Sequence, residues 1–217
     1  EALYMAGDFT EALRLCRQAE TVAALHGQLC NTLCALFLRA RLALARKNTS
    51  TACAAVREMR DLITKKQDYF LLHTAEVCAA RLSGLLRRPD EIPAWVHEGR
   101  GERIYAFAQG DFRLAQGRAL LLAGDAAAVL GLFHALLQTP LFDKHRLFFI
   151  YAHIFLAAAH AMLDAREKAL ESLRAALDAA LPDDVLMPFV ENADLVLPLL
   201  LAPQETRHED GVRRILA

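Results

Sequence analysis

Residues 6–16 have the sequence AGDFTEALRLC, and this stretch contains a joint between two helices. Gly7 can adopt the left-handed conformation that closes a helix. Asp8 can then cap the next helix, whose N-terminus favours a negative charge. The small side chain of Ala12 suits a position that faces the preceding helix. The stretch therefore predicts two helices joined by a tight turn.

The same joint recurs along the chain, in copies that begin near Lys47, Arg88, Gly124 and Asp164. Five equivalent small positions follow these joints at separations of 40, 42, 35 and 40 residues: Ala12, Ala52, Ala94, Val129 and Ala169. One helical hairpin fits each step, and stacked hairpins of this size bury their apolar faces on one another. The spacing predicts an all-α fold, a tetratricopeptide-like superhelical solenoid of about five helix pairs.

Apolar periodicity and turn signals divide the chain into twelve helices and no strand. The helices are predicted near residues 1–6, 9–26, 28–46, 50–66, 68–87, 90–98, 101–108, 111–123, 126–138, 143–163, 166–180 and 192–201. The stretch 89–110, with two prolines and three glycines, is expected to be the least regular. We assign residues 1–201 to the repeat domain and residues 202–217 to a polar C-terminal tail or linker.

Composition narrows the classes of protein to consider. The 25 Lys and Arg residues nearly balance 26 Asp and Glu residues, which argues against direct nucleic-acid binding. Five cysteines in apolar stretches indicate a reducing, cytoplasmic compartment. The start at Glu1, with no leader, suggests a fragment of a longer chain. The uncharged stretch 147–163 is short for a membrane span, so we expect a buried helix and no membrane contact.

Motifs for chemistry are not found in the sequence. It has no glycine-rich phosphate loop, no Gly-x-Ser-x-Gly elbow and no His-Glu-x-x-His zinc motif, so we expect neither an enzyme nor a cofactor. His26, Cys30 and Cys34 could align as zinc ligands on one helix, but Gly27 interrupts the run and a fourth ligand is missing. We therefore predict packing there and no metal site.

His153 and His160 are seven residues apart and share one helix face. As a pair they could be ligands or acid–base groups. In the repeat consensus they fall where large aromatic residues fill the space between paired helices. Packing is the interpretation that we favour for both.

The region 118–201 supplies a resemblance to a known family. An Ala- and Leu-rich last helix over 169–180 is followed by LPDDVLMPFVEN at 181–192 and by LVLPLLL at 195–201. This arrangement is similar to the end of the helical-repeat sensor region of MalT-like, LuxR-family transcriptional regulators.

The resemblance implies a cytoplasmic bacterial regulator in which an ATPase module precedes the repeats and a helix-turn-helix domain follows them. There the repeats receive a small-molecule inducer or a regulatory protein, act on other domains of the same chain and control self-association. DNA would be contacted only indirectly, through the helix-turn-helix domain. Neither of the other two domains is present in this sequence.

The site for a ligand or partner is expected either on the inner, concave face of the repeats or in a cavity between helices. On the repeat register, five side chains are candidates for this face: Phe37, Arg41, Asp111, Arg118 and Tyr151. The rival hypothesis is a general tetratricopeptide adaptor that binds a peptide segment of a partner protein. A pocket holding a strongly perturbed histidine would instead revive an enzyme.

Overall fold

The computed structural model describes residues 1–66, 68–102, 104–140, 145–203 and 206–217. These residues form an all-helical fold, and none of them lies in a β-strand. The prediction of an all-α chain is therefore confirmed. Their contacts divide the chain into two compact units. Unit 1 contains residues 1–4 and 8–116, and unit 2 contains residues 5–7 and 117–217.

Each described residue with positive φ lies at the end of a helix, and the same hydrogen-bond pattern follows it. These eight residues are Gly7, Gly27, Lys47, Arg87, Gly99, Gly124, Asp164 and Asp184. After each one, the next backbone N–H donates to the carbonyl five residues earlier, as from Asp8 to Leu3 at 2.8 Å. The Oδ1 atom of Asp8 also accepts from the N–H of Glu11 at 3.2 Å. The joint predicted at Gly7 and Asp8 is therefore confirmed.

Unit 1 contains the short helix α1 (Ala2–Met5, whose last residue belongs to unit 2) and four long helices: α2 (Phe9–Leu25), α3 (Leu29–Ala45), α4 (Thr49–Lys66) and α5 (Tyr69–Leu85). Each of the four long helices packs against the neighbouring long helix along the chain. The core of unit 1 lies among α3, α4 and α5, where the largest buried side chains include Leu33, Leu36 and Met59. Alanines at Ala40, Ala52 and Ala75 occupy the same core and allow close approach of the helices.

The stretch after α5 contains only short helices, where longer ones were predicted near 90–98 and 101–108. The structure has 3₁₀ helices at Pro89–Glu91 and Ala106–Ala108, with α6 (Ala94–His97) between them. Pro93 disfavours helical backbone at the residue before it, which separates the first two helices. Gly101 lies against the ring of Phe112, where a Cβ atom would be only 2.4 Å from Cε1.

The boundary between the units falls within α7 (Gln109–Leu122), whose residues from Gly117 onward belong to unit 2. Unit 2 then contains α8 (Ala126–Leu137), α9 (Arg146–Met162) and α10 (Arg166–Ala180). Helix α9 packs on both α8 and α10. Gly117 allows close packing, since a Cβ atom there would be 2.3 Å from Cε2 of Phe133. The predicted start of α9 near Asp143 lies outside the described residues, and the described helix is capped by His145. Among the described residues, the length and apolarity that a bilayer crossing needs do not occur together in any helix.

The C-terminal part of unit 2 differs from the prediction. It holds α12 (Ala193–Leu200), which corresponds to the helix predicted near 192–201, and also α11 (Met187–Glu191) and α13 (Thr206–Leu216), which were not predicted. Helix α13 lies where the polar tail was expected, and Val212 and Ile215 on one of its faces are buried. Gly211 lets it approach the side chain of Leu181 closely. A few apolar residues among many charges suffice for an amphipathic helix here. The domain boundary at residue 201 stays a prediction.

Candidate functional site

Three of the five side chains predicted to contact a ligand lie in unit 1. The guanidinium of Arg41 is buried, 4.7 Å from the ring centroid of Tyr4 and 5.6 Å from that of Phe37. It also forms an ion pair with Glu1 at 2.8 Å. Asp111 instead lies 3.3 Å from Nε of the buried Arg81. Arg41 and Phe37 thus belong to one cation–π cluster, which is a packed arrangement.

The other two predicted side chains, Arg118 and Tyr151, lie in unit 2. Arg118 is almost fully buried and donates to Oδ2 of Asp194 at 2.7 Å and to Asn192 at 3.4 Å. The hydroxyl of Tyr151 donates to Glu191 at 2.5 Å. Both side chains thus hold the segment that contains α11 and α12. A ligand could reach them only by displacing these contacts, so their role in ligand binding stays a prediction.

A cavity of about 600 Å³ lies among α8, α9 and α10 of unit 2. We call it the histidine cavity and define it by its lining residues: His134, Leu137, Gln138, Phe149, His153, Leu156, His160, Lys168, Glu171, Ser172 and Ala175. Its rim is exposed and polar, with His134, Gln138, Lys168 and Glu171. The remaining side chains, which line it more deeply, are half-buried or buried. A cavity of this size with apolar walls and a few polar groups is typical of small-molecule sites.

Two helices bring the three histidines together. The seven-residue spacing places His153 and His160 on one face of α9, as predicted. His134 comes from α8, and its ring centroid lies 6.3 Å from that of His160. The ring of Phe149, one turn before His153 on α9, lies 4.2 Å from the imidazole of His153 between centroids. The cavity therefore offers imidazoles and an aromatic face together.

Both histidines on α9 are held toward the neutral form. Burial lowers the pKa of His153 below its ordinary 6.5, and the neighbouring His134 lowers it further. Burial likewise lowers the pKa of His160, with His134 and Lys168 acting in the same direction and Glu171 opposing them. Burial disfavours the charged form of both imidazoles, and the neighbouring basic groups add to this effect.

One nitrogen of His153 is unsatisfied. Its Nδ1 atom is shielded from solvent and has no hydrogen-bond partner among the described residues. Buried polar atoms in proteins nearly always have a partner.

The side chains of the histidine cavity can bind a ligand through charge and hydrogen bonds. In the described part of the chain, no hydrogen bond joins Ser172 to a histidine, which is the pairing that activates a serine nucleophile. The same residues contain no group of three side chains arranged to hold a metal ion. At the three residues that were considered as zinc ligands and assigned to packing, α2 ends before His26, and Gly27 turns the chain before α3 carries Cys30 and Cys34.

A second cleft, of about 410 Å³, lies in unit 1 between α4 and the end of α5. Arg57 and Arg60 project from α4 and have no ion-pair partner in the described residues. Arg88 completes a basic rim, although it is paired with Glu91 at 3.2 Å. We call this the arginine cleft. Its floor includes Val56 and Leu82.

Sequence reasoning missed the histidine cavity as a site. It placed His153 and His160 on one face but interpreted them as packing residues, and it did not single out His134. The only sequence signal was the pair of histidines on an apolar face. Whether His134 lies near this pair depends on how α8 packs on α9, and residue spacing within one helix does not reveal that packing.

Comparisons with protein-family models, with curated proteins and with solved structures give no match to this chain.

Proposed function

We propose that this chain is the ligand-sensing helical-repeat domain of a cytoplasmic, MalT-like, LuxR-family transcriptional regulator, and that the histidine cavity binds its small-molecule inducer. The observation that carries the ligand site is the convergence of three histidines, from two helices, on one apolar-walled cavity. The family assignment rests on the resemblance over residues 118–201.

The proposed architecture is a tetratricopeptide-like solenoid of about five helix pairs. It is supported by the turn geometry that recurs at Gly7, Lys47, Arg87, Gly124 and Asp164. It is also supported by consecutive packing of α2 to α5 in unit 1 and of α8 to α10 in unit 2. Such repeats respond to ligands through small changes in helix packing.

Helix α10 could transmit the effect of ligand binding in the cavity to other parts of a regulator. Its residues Lys168, Glu171 and Ser172 line the cavity. Further along the same helix, Asp178 accepts from Arg207 at 3.1 Å and lies 2.8 Å from Nε2 of His208. A ligand that shifts α10 would therefore change the docking of α13. The shift is limited by the difference in ligand affinity between the two packings.

The test is a thermal-shift screen of sugars, organic acids, aromatic metabolites and short peptides against the protein. A ligand at about 100 times its dissociation constant should add roughly 2.7 kcal/mol of stability. A small-molecule hit should be lost in His153→Gln and kept in His26→Gln, which changes an exposed histidine of unit 1. A hit that survives His153→Gln would show that the histidine cavity is not the site.

The second candidate function is a peptide-binding adaptor. The observation that favours it is the arginine cleft, where Arg57 and Arg60 are available to an acidic peptide. In the same screen, an adaptor should respond to acidic peptides alone. That response should be lost in the double variant Arg57→Ala/Arg60→Ala and kept in His153→Gln.

A further inference from the structure

The histidine cavity is lined by more groups that can carry a positive charge than by groups that carry a negative charge. Helix α8 contributes His134, α9 contributes His153 and His160, and α10 contributes Lys168 and Glu171. Lys168 carries a positive charge and Glu171 a negative one. The three imidazoles can add positive charge by taking up protons, although the lowered pKa values of His153 and His160 keep these two neutral until an anion binds. An arrangement with a basic surplus favours an anion.

The walls of the same cavity are apolar. Leu137, Phe149, Leu156 and Ala175 line it, and the Phe149 ring lies tilted against the imidazole of His153, with 4.2 Å between the ring centroids. A flat hydrocarbon body gains free energy by burial against such walls. Among the described lining residues, only Gln138 and Ser172 add uncharged hydrogen-bonding side chains, which are too few for the many hydroxyls of a sugar.

We infer that the ligand is a small organic acid whose carboxylate lies among the three histidines and Lys168 and whose flat apolar body packs on Phe149 and Leu156, with a proton taken up on binding. This inference rests on the proposed function, because it names the ligand class of the same site.

The proton uptake follows from linkage. Without a ligand, burial and the neighbouring His134 keep the pKa of His153 below its ordinary value, so the imidazole is neutral near pH 7. A bound carboxylate supplies the missing negative charge and raises that pKa. The complex therefore binds a proton that the free protein does not, and affinity rises as pH falls.

The experiment compares acids with their neutral amides of the same shape. The probes are indole-3-acetate with indole-3-acetamide, benzoate with benzamide, and inorganic phosphate as an anion without an apolar body. Binding is measured by titration calorimetry at about pH 6 and about pH 8, on either side of the histidine range, in two buffers of different ionisation enthalpy. Histidine-selective NMR reports whether the signals of His153 move.

We expect at least one acid to bind about tenfold or more tightly than its amide, because hydrogen bonds to a charged acceptor are stronger than those to a neutral one. Its affinity should be higher at the lower pH, and the two buffers should reveal proton uptake. Lys168→Met should weaken the acid and leave the amide unchanged, whereas Lys65→Met, an exposed lysine of unit 1, should change neither. Both variants alter exposed side chains, so folding is not at risk.

Three outcomes would overturn the inference: an amide that binds as tightly as its acid, affinity that falls with falling pH, or binding of phosphate alone. If a neutral compound moves the His153 signals without proton uptake, the acid ligand is wrong and the proposed function stands. If no compound of the wider screen or of these pairs moves the His153 signals, the proposed site fails together with the inference.

Discussion

The guanidinium of Arg118 on α7 donates to the carboxylate of Asp194 on α12 at 2.7 Å, across 76 positions of sequence. The Arg118 side chain is 2% exposed, whereas that of Asp194 is 29% exposed. The pair therefore places a buried positive charge against a partly solvated negative one. Arg118 stabilises the C-terminal segment of unit 2 in this structure.

Removing the charge of Asp194 should destabilise unit 2. Asp194→Asn leaves the buried guanidinium without its opposite charge, and we expect a loss of about 3 kcal/mol in the free energy of unfolding. Chemical denaturation measures it. Asp210→Asn is the matched control, because Asp210 is 89% exposed and its pair with Arg213 lies on the surface. If both variants lowered the unfolding free energy equally, burial of Arg118 would not be the cause of the loss.

Gly117 should not tolerate a methyl group. In Gly117→Ala the new Cβ would be 2.3 Å from Phe133 and 2.9 Å from Phe155, so the rings must shift. We expect a loss of about 1–3 kcal/mol in unfolding free energy. Gly131→Ala on α8 is the control, since nothing lies within 4 Å of its Cβ position. There the alanine should stabilise the helix by about 0.5–1 kcal/mol.

The parts of the fold that were predicted from sequence are those decided by local chemistry. Gly7 and Asp8 form the expected turn because left-handed backbone and helix capping depend on a few adjacent residues. Helix α11 was missed because it is only five residues long. Its neighbour Leu186 is held by a hydrogen bond from its N–H to the carbonyl of Met5 at 2.8 Å, a contact distant in sequence.

In the candidate site too, features set by local sequence were predicted, and features set by contacts between distant residues were not. The shared face of His153 and His160 follows from helical spacing and was predicted. The ion pair that occupies Arg118 was not, because the repeat register shows which side chains point inward but not what covers them. The convergence with His134 likewise depends on the packing of two helices.

At positions with left-handed backbone, glycine should give a higher free energy of unfolding than other residues. Lys47 has φ 58° at a turn where Gly124 has φ 81° in the equivalent position. A side chain in this region costs about 1–2 kcal/mol. We therefore expect Lys47→Gly to raise the unfolding free energy and Gly124→Ala to lower it, as measured by denaturation. Arg46→Gly, which alters a residue with φ of −89°, should give no gain.

Stability should fall in mildly acidic solution because of the histidine cavity. The folded pKa of His153 lies below its ordinary 6.5, so the unfolded chain binds a proton first as pH falls. Each proton taken up by the unfolded state alone lowers the free energy of unfolding, from about pH 6.5 down to the folded pKa. His160 acts in the same direction.

Melting curves from about pH 8 to about pH 5 test this, since that range covers histidine titration. His153→Gln should lose part of the decline in stability, because the variant has no imidazole to protonate at that position. His26→Gln, at an exposed position, should keep the whole decline. A variant at His153 that declines as steeply as the unmodified protein would show that this imidazole is not held neutral by folding. The proton linkage inferred for the ligand would then lose its physical basis.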